Sequence, residues 1–238
     1  MRRGVGWGIG IAVLALGVAA AGSTFAGAQG DDTRRGTDPL SAEEVRAALD
    51  DGGVSPESGA PESAGPESLG ANGLPEHLVL LVERHVEDKG ADDLRRADVY
   101  EYSYADDTLT VSLVDLADGT VDDTQVVQGT QLPLVEVEAQ RALDLLFADP
   151  DFRERLDAEH LRATGAPLVD PAAELIVEPI VFLAEAVPTV AQGEAAECGI
   201  HRCAQFLIQT DDHVLINLFP LVDLSDGVVL TADGVGGT

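Results

Sequence analysis

The 238-residue sequence predicts an α+β protein made of two modules, each a helix packed on an antiparallel sheet. Three patterns carry that expectation. LVDLADG at 113–119 returns as LVDLSDG at 221–227. PLSAEEVRAALD at 39–50 returns as PLVEVEAQRALD at 133–144, matching at Pro39/Pro133, Leu40/Leu134, Glu44/Glu138, Ala48/Ala142, Leu49/Leu143 and Asp50/Asp144. After each helical segment come stretches that read as strands, several of them alternating apolar with polar residues. Two matches in the same order imply a duplicated helix-then-strands unit, with each LVDLxDG as its last hairpin.

The elements follow in order. Residues 1–28 read as an export signal: Arg2 and Arg3, an uncharged apolar run over 5–22, and small residues at 26–28, with cleavage expected after Ala28. Either the general secretory or the twin-arginine route suits it. An uncleaved membrane anchor is the alternative, because the apolar run is at the lower limit for a spanning helix. A polar lead-in covers 29–38. The first module is expected at 39–130, opening on a helix over 39–50 with Ser41 and Glu44 as a capping box. A spacer over 51–73 repeats Pro-Glu-Ser at Pro56, Pro61 and Pro66 and offers almost nothing to bury, so it is expected to be disordered. Strands are expected over 77–86, 97–106, 108–116 and 120–128, the last pair joined at Asp118-Gly119. The second module, 131–232, begins with a helix over 133–148. A further helix is capped by Asp149-Pro150, carries Phe152, Leu156 and Leu161, and ends at Gly165. Strands follow over 173–185, 202–210, 213–224 and 228–232, before a loose tail at 233–238.

Charge and cysteine content narrow the function. Lys and Arg number 14 against 43 Asp and Glu, a formal net charge of −29. Such a body repels nucleic-acid phosphates and anionic lipid, so neither is expected as a partner; membrane association would come only through the signal segment. Both cysteines fall in CGIHRC, Cys198 and Cys203. In an exported chain they are expected to form a local disulfide; a metal site of Cys198, His201 and Cys203 is the competing reading. Tyr100, Tyr102 and Tyr104 share one strand face, either packed against a helix or presented as a ligand platform. His77 and His85 read as solvated edge residues and His160 as an exposed helical one. The pairs Asp92-Asp93, Asp106-Asp107 and Asp122-Asp123 read as solvated turns that could at most collect calcium weakly. Ser112 and Ser225 lack a nucleophile-elbow context, and no glycine-rich phosphate loop follows a strand. No catalytic, cofactor-binding or metal-ligating residue is assigned, and no enzyme activity is expected.

The segment TDPLSAEEV, the run VSLVDLADGTVDDTQVVQGTQLPLVEVEAQRAL and the second unit of the same plan resemble the amino-terminal domains of bacterial copper amine oxidases, over about 37–50 and 77–187. That resemblance implies two cystatin-like modules. It carries over no catalytic residue: no tyrosine follows an asparagine, and the histidines include no His-x-His pair of the kind that holds the family's copper. CGIHRCAQFLIQT is similar to small secreted proteins of actinobacteria. The expectation is therefore a secreted, non-catalytic binding or interaction protein with no cofactor, taking a protein or small-molecule partner. The alternative is a metal-handling (copper) or inhibitor-like protein acting through the Cys198–Cys203 loop.

Overall fold

A computed structural model describes residues 38–51, 69–86, 94–186 and 193–230. The signal segment, the lead-in up to residue 37, most of the Pro-Glu-Ser spacer, Asp92-Asp93 and the tail from residue 231 lie outside the described residues. Among the described residues, no helix is long and apolar enough to cross a membrane.

Helix α1 (Ala42–Asp51) starts where the capping box predicts. The amide of Glu44 donates to Ser41 Oγ at 3.2 Å and the amide of Ser41 to Glu44 Oε2 at 2.7 Å. Strands β1 (His77–Arg84), β2 (Arg96–Ser103), β3 (Thr108–Asp115) and β4 (Val121–Gln128) form an antiparallel meander in sequence order. Helices α2 (Glu136–Ala148), α3 (Pro150–Thr164) and the short α4 (Pro171–Glu174) precede a second meander. Its strands are β5 (Leu175–Val181), β6 (Cys203–Thr210), β7 (Leu221–Asp223) and β8 (Val228–Leu230). Asp149 caps α3 by accepting from the amide of Phe152, and Gly165 closes it in the left-handed region at φ 76°.

The two LVDLxDG segments are the last hairpin of each sheet, β3–β4 and β7–β8. In both, the Asp side chain accepts a backbone amide two residues on, from Ala117 to Asp115 and from Ser225 to Asp223. The glycines that follow, Gly119 and Gly227, sit at φ 71° and 69°, where a side chain is disfavoured.

The duplication extends to an arginine clamp. Arg95, just before β2, holds the Glu44 carboxylate through Nε (2.6 Å) and Nη2 (3.0 Å) and donates to the carbonyls of Asp38 and Pro39. Arg202, just before β6, does the same to Glu138 and to the carbonyls of Leu132 and Pro133. The carbonyl of each arginine accepts the amide of the second leucine of LVDL, Leu116 and Leu224. The repeated Pro-Leu, Glu and Leu-Val-Asp-Leu letters are thus parts of one clamp that ties a helix start to a sheet corner.

Packing distinguishes the copies. Helix α1 lies on one face of the first sheet, where Ala48 meets Ala97, Val99 and Val114. The other face joins a core shared by both modules: Leu78, Tyr102 and Leu109 from the first sheet, Leu143 and Leu146 from α2, Phe152 and Leu156 from α3, and Phe206, Ile208 and Val222 from the second.

The chain path departs from the sequence expectations at 69–73 and 213–220, and the strand expected over 173–185 holds only as β5, with Ala173 and Glu174 in α4 and 184–186 in a 3-10 turn. Residues 69–73, read as the end of the spacer, belong to the fold: Asn72 is buried, its amide donates to the Leu224 carbonyl at 2.9 Å, and its Oδ1 accepts from the Leu74 amide. The strand expected over 213–224 shrinks to β7. His213 turns at φ 62° and Pro220 lacks an amide for a ladder, so this apolar run reaches the core through Ile216 without being a strand.

Candidate functional site

The site grows from the CGIHRC loop at the seam of the modules. Cys198 and Cys203 are bonded as a disulfide, with Cα atoms 5.5 Å apart, and both are buried with Phe182, Ala195, Leu221 and Leu230. The bond uses both thiols, which closes the reading of Cys198, His201 and Cys203 as a thiolate metal site. Between the cysteines, Arg202 points inward and His201 faces a group of carboxylates.

Arg202 and Glu138 are fully buried. All five guanidinium donors are used: Glu138 takes two N–H groups, and Gln131 Oε1, the Leu132 carbonyl and the Pro133 carbonyl take the others. Glu138 also accepts from the Tyr104 hydroxyl at 2.5 Å and the Val135 amide at 2.8 Å. Burial works against the guanidinium charge, but Glu138 outweighs it and holds Arg202 above its usual value. Burial first, then Glu138, pushes the Tyr104 hydroxyl well up. A buried pair satisfied this completely is structural.

His201 lies among four carboxylates. Its Nδ1 donates to Asp223 Oδ2 at 2.8 Å, with Asp226 Oδ2 3.8 Å away. On the other side Nε2 is 3.4 Å from Glu197 Oε2 and 3.6 Å from Asp107 Oδ2. One donor atom from each of His201, Asp223 and Asp226 falls within 4.8 Å of the other two, a spacing that a metal ion can bridge. Burial disfavours the imidazolium, but the Asp223 hydrogen bond, followed by Asp223, Asp107 and Asp226 charge, holds His201 above its usual value. Asp107 is itself fixed: its Oδ1 accepts from the Tyr102 hydroxyl at 3.0 Å and from Ser225 Oγ. Ser225 Oγ also accepts the Arg202 amide, so this hydroxyl is bound on both sides.

The three tyrosines share a face as the alternation predicts, but they do not form an exposed platform. Tyr102 and Tyr104 are 1% and 8% exposed, edge-to-face with centroids 5.1 Å apart, because α2 and the second sheet cover that face. Tyr100 is half-buried; burial and the Glu83 hydrogen bond push its hydroxyl up to about 12. Of the histidines read as solvent-facing, His85 is half-buried and bonded to Asp98 at 2.9 Å, while His77 is 3.5 Å from Glu101. His160, expected to be exposed, is 4% exposed. Of the acidic pairs, Asp106-Asp107 enters the site through Asp107 and Asp122 lies 3.9 Å from Arg96.

A second feature lies away from the seam. His160, Thr164 and Ala166 of α3 and its exit, Glu174 of α4, and the β6 turn at Asp211 and Asp212 line an open cleft of about 380 Å³. Glu174 Oε1 accepts the amides of Asp170 and Val169, and these hold its carboxyl below the usual value.

No family model matches the chain, and no curated protein matches it. Among solved structures the chain is similar to a copper-containing benzylamine oxidase from Hansenula polymorpha, at 12% identity and a TM-score of 0.46. The match covers 82% of this chain and 29% of the oxidase, so the chain spans less than a third of that protein's length. Likeness at this level carries no argument about activity.

Proposed function

We propose that the chain is a secreted, non-catalytic binding protein that holds a divalent cation at the disulfide-pinned seam. The observation that carries this reading is the donor set of His201, Asp223 and Asp226, brought within 4.8 Å of one another where the disulfide-pinned loop meets the end of β7 and the β7–β8 turn. One imidazole nitrogen with carboxylate oxygens suits zinc or manganese, the ion taking the place of the proton that His201 Nδ1 shares with Asp223; the thiolates that would favour monovalent copper are used up. The nucleophilic groups nearby, Ser225, Tyr102 and both cysteines, are committed to internal bonds. The export signal read in the sequence and the disulfide support an oxidising destination.

Titration calorimetry of chelator-stripped protein with zinc and with manganese tests the reading. One equivalent should bind, and Asp226→Ala should weaken binding at least tenfold with little effect on folding, because Asp226 is largely exposed. No binding at millimolar metal, or equal binding by Asp226→Ala, would overturn it.

A further inference from the structure

From the cation reading, on which this step rests, we infer that Asp107 is the positioning residue of that site: its carboxylate accepts the one ring proton that His201 keeps once an ion holds the other nitrogen. A histidine ligates a metal as the neutral ring, so one nitrogen holds the ion and the other holds a proton. The nitrogen of His201 that faces Asp223 and Asp226 is Nδ1, which places the proton on Nε2. An acceptor at that second nitrogen fixes the tautomer and the ring orientation of a ligating histidine. Two carboxylates stand there, Glu197 Oε2 at 3.4 Å and Asp107 Oδ2 at 3.6 Å. Distance does not separate them, but anchorage does. The Glu197 side chain is 66% exposed and that of Asp107 only 18%. Asp107 Oδ1 is pinned by the Tyr102 hydroxyl and by Ser225 Oγ, which leaves Oδ2 for the ring.

The ion itself shortens the remaining gap. Nδ1 and Asp223 Oδ2 stand 2.8 Å apart around a shared proton. Zinc bonds of about 2.0–2.2 Å at a tetrahedral angle set such a nitrogen and oxygen roughly 3.4 Å apart. Asp223 cannot yield, because it is buried and its Oδ1 is held by the amides of Ser225 and Asp226. The ring therefore moves away from Asp223 and carries Nε2 toward Asp107. The same carboxylate steadies the other arm of the site, since Ser225, which donates to it, sits between the ligands Asp223 and Asp226. Asp107 also adopts φ 52°, a left-handed conformation that non-glycine residues seldom take and that recurs at functional positions. The three ligands come from the second module and Asp107 from the β2–β3 turn of the first, so each module contributes to holding one ion.

The test is zinc calorimetry on chelator-stripped, full-length Asp107→Asn. Asparagine tolerates the left-handed backbone and its oxygen keeps both hydroxyls, but it turns an NH2 donor toward the ring where an acceptor is needed. Zinc should bind roughly 10–100-fold more weakly, while the urea midpoint of the zinc-free variant stays near that of the wild type. Glu197→Gln should change the affinity by less than about threefold, as expected of an exposed carboxylate. In NMR of the zinc-loaded wild type, the His201 ring proton should sit on Nε2 and exchange slowly with water. Equal zinc affinity for wild type and Asp107→Asn, a greater loss in Glu197→Gln, or a freely exchanging ring proton in the wild type would overturn the role of Asp107 alone. A wild type that binds no zinc or manganese would overturn the cation reading, and this role with it.

Discussion

The duplicated clamp provides a controlled experiment in burial. Arg95 and Arg202 make equivalent bonds to a glutamate and two carbonyls, but Arg95 and Glu44 keep 14% and 20% of their side-chain surface exposed, while Arg202 and Glu138 keep none. Removing Arg202 strands a buried carboxylate that retains only the Tyr104 hydroxyl and the Val135 amide, and it orphans the Leu132 and Pro133 carbonyls. Breaking a buried pair from one side costs about 3–5 kcal/mol. Removing Arg95 leaves a carboxylate that water can reach, and about 1 kcal/mol is expected there. Urea unfolding of Arg202→Met and Arg95→Met, followed by circular dichroism, should therefore show losses differing by at least ~2 kcal/mol, or roughly 1 M in midpoint at a typical slope. The double variant Glu138→Gln/Arg202→Met removes the stranded charge, keeps one oxygen for the Val135 amide and turns an NH2 donor toward the Tyr104 hydroxyl, so it should recover part of the loss. Equal costs for the two arginines, or a double variant as unstable as the sum of its singles, would refute the argument from burial.

Three other outcomes follow from the same geometry. Gly227→Ala should cost about 2–3 kcal/mol in denaturant titration: φ is 69° and the new Cβ would stand 2.9 Å from Asn72 Cα. Gly165→Ala, at φ 76° with nothing within 4 Å, should cost only about 1 kcal/mol. Replacing both Cys198 and Cys203 by alanine should lower stability by about 2 kcal/mol, since the bridge spans a sequence separation of 5, and should loosen His201 before it unfolds the sheets; calorimetry with zinc would show the weakened binding. The Arg95 hydrogen bond holds the Glu44 carboxyl down at about 2 against an ordinary 4.5. A depressed carboxyl contributes its stability above the unfolded value and loses it as pH falls toward the folded one. The stability gap between wild type and Glu44→Gln should therefore be full above pH 4.5 and shrink to nothing near pH 2 in acid titrations at constant urea.

The local signals were legible because their physics is local. Ser41 with Glu44, Asp149-Pro150, Gly165 and the two Asp-Gly turns at 118–119 and 226–227 each act over a few residues, so the letters alone place them. The alternation over 97–104 places three tyrosines on one face, but whether that face meets water depends on α2 and β6, far along the chain. The apolar letters at 214–218 look like a strand and are buried for another reason: Ile216 reaches the shared core from an irregular segment. The spacer composition hid Asn72, one polar residue whose partner Leu224 is 152 positions away. The candidate site was the least legible part. His201 stood out only as a neighbour of two cysteines, while Asp107 and Asp223 come from different sheets. One signal was available: Arg95-Arg96-Ala97 and Arg202-Cys203-Ala204 both set arginine two places before alanine at the start of a second strand. Aligned with Glu44 and Glu138, they would have marked both clamps.

The shared core also has a consequence for how the chain is made. The tyrosine-bearing face of the first sheet finds its cover only in α2, α3 and the second sheet, and Asn72 waits for Leu224. During synthesis from the amino terminus, β1 to β4 can pair as soon as they emerge, yet one side of that meander stays open to water until roughly a hundred further residues have followed. An oily surface is therefore displayed for the whole of that interval, and the strongly negative charge of the nascent chain keeps neighbouring copies apart while it lasts.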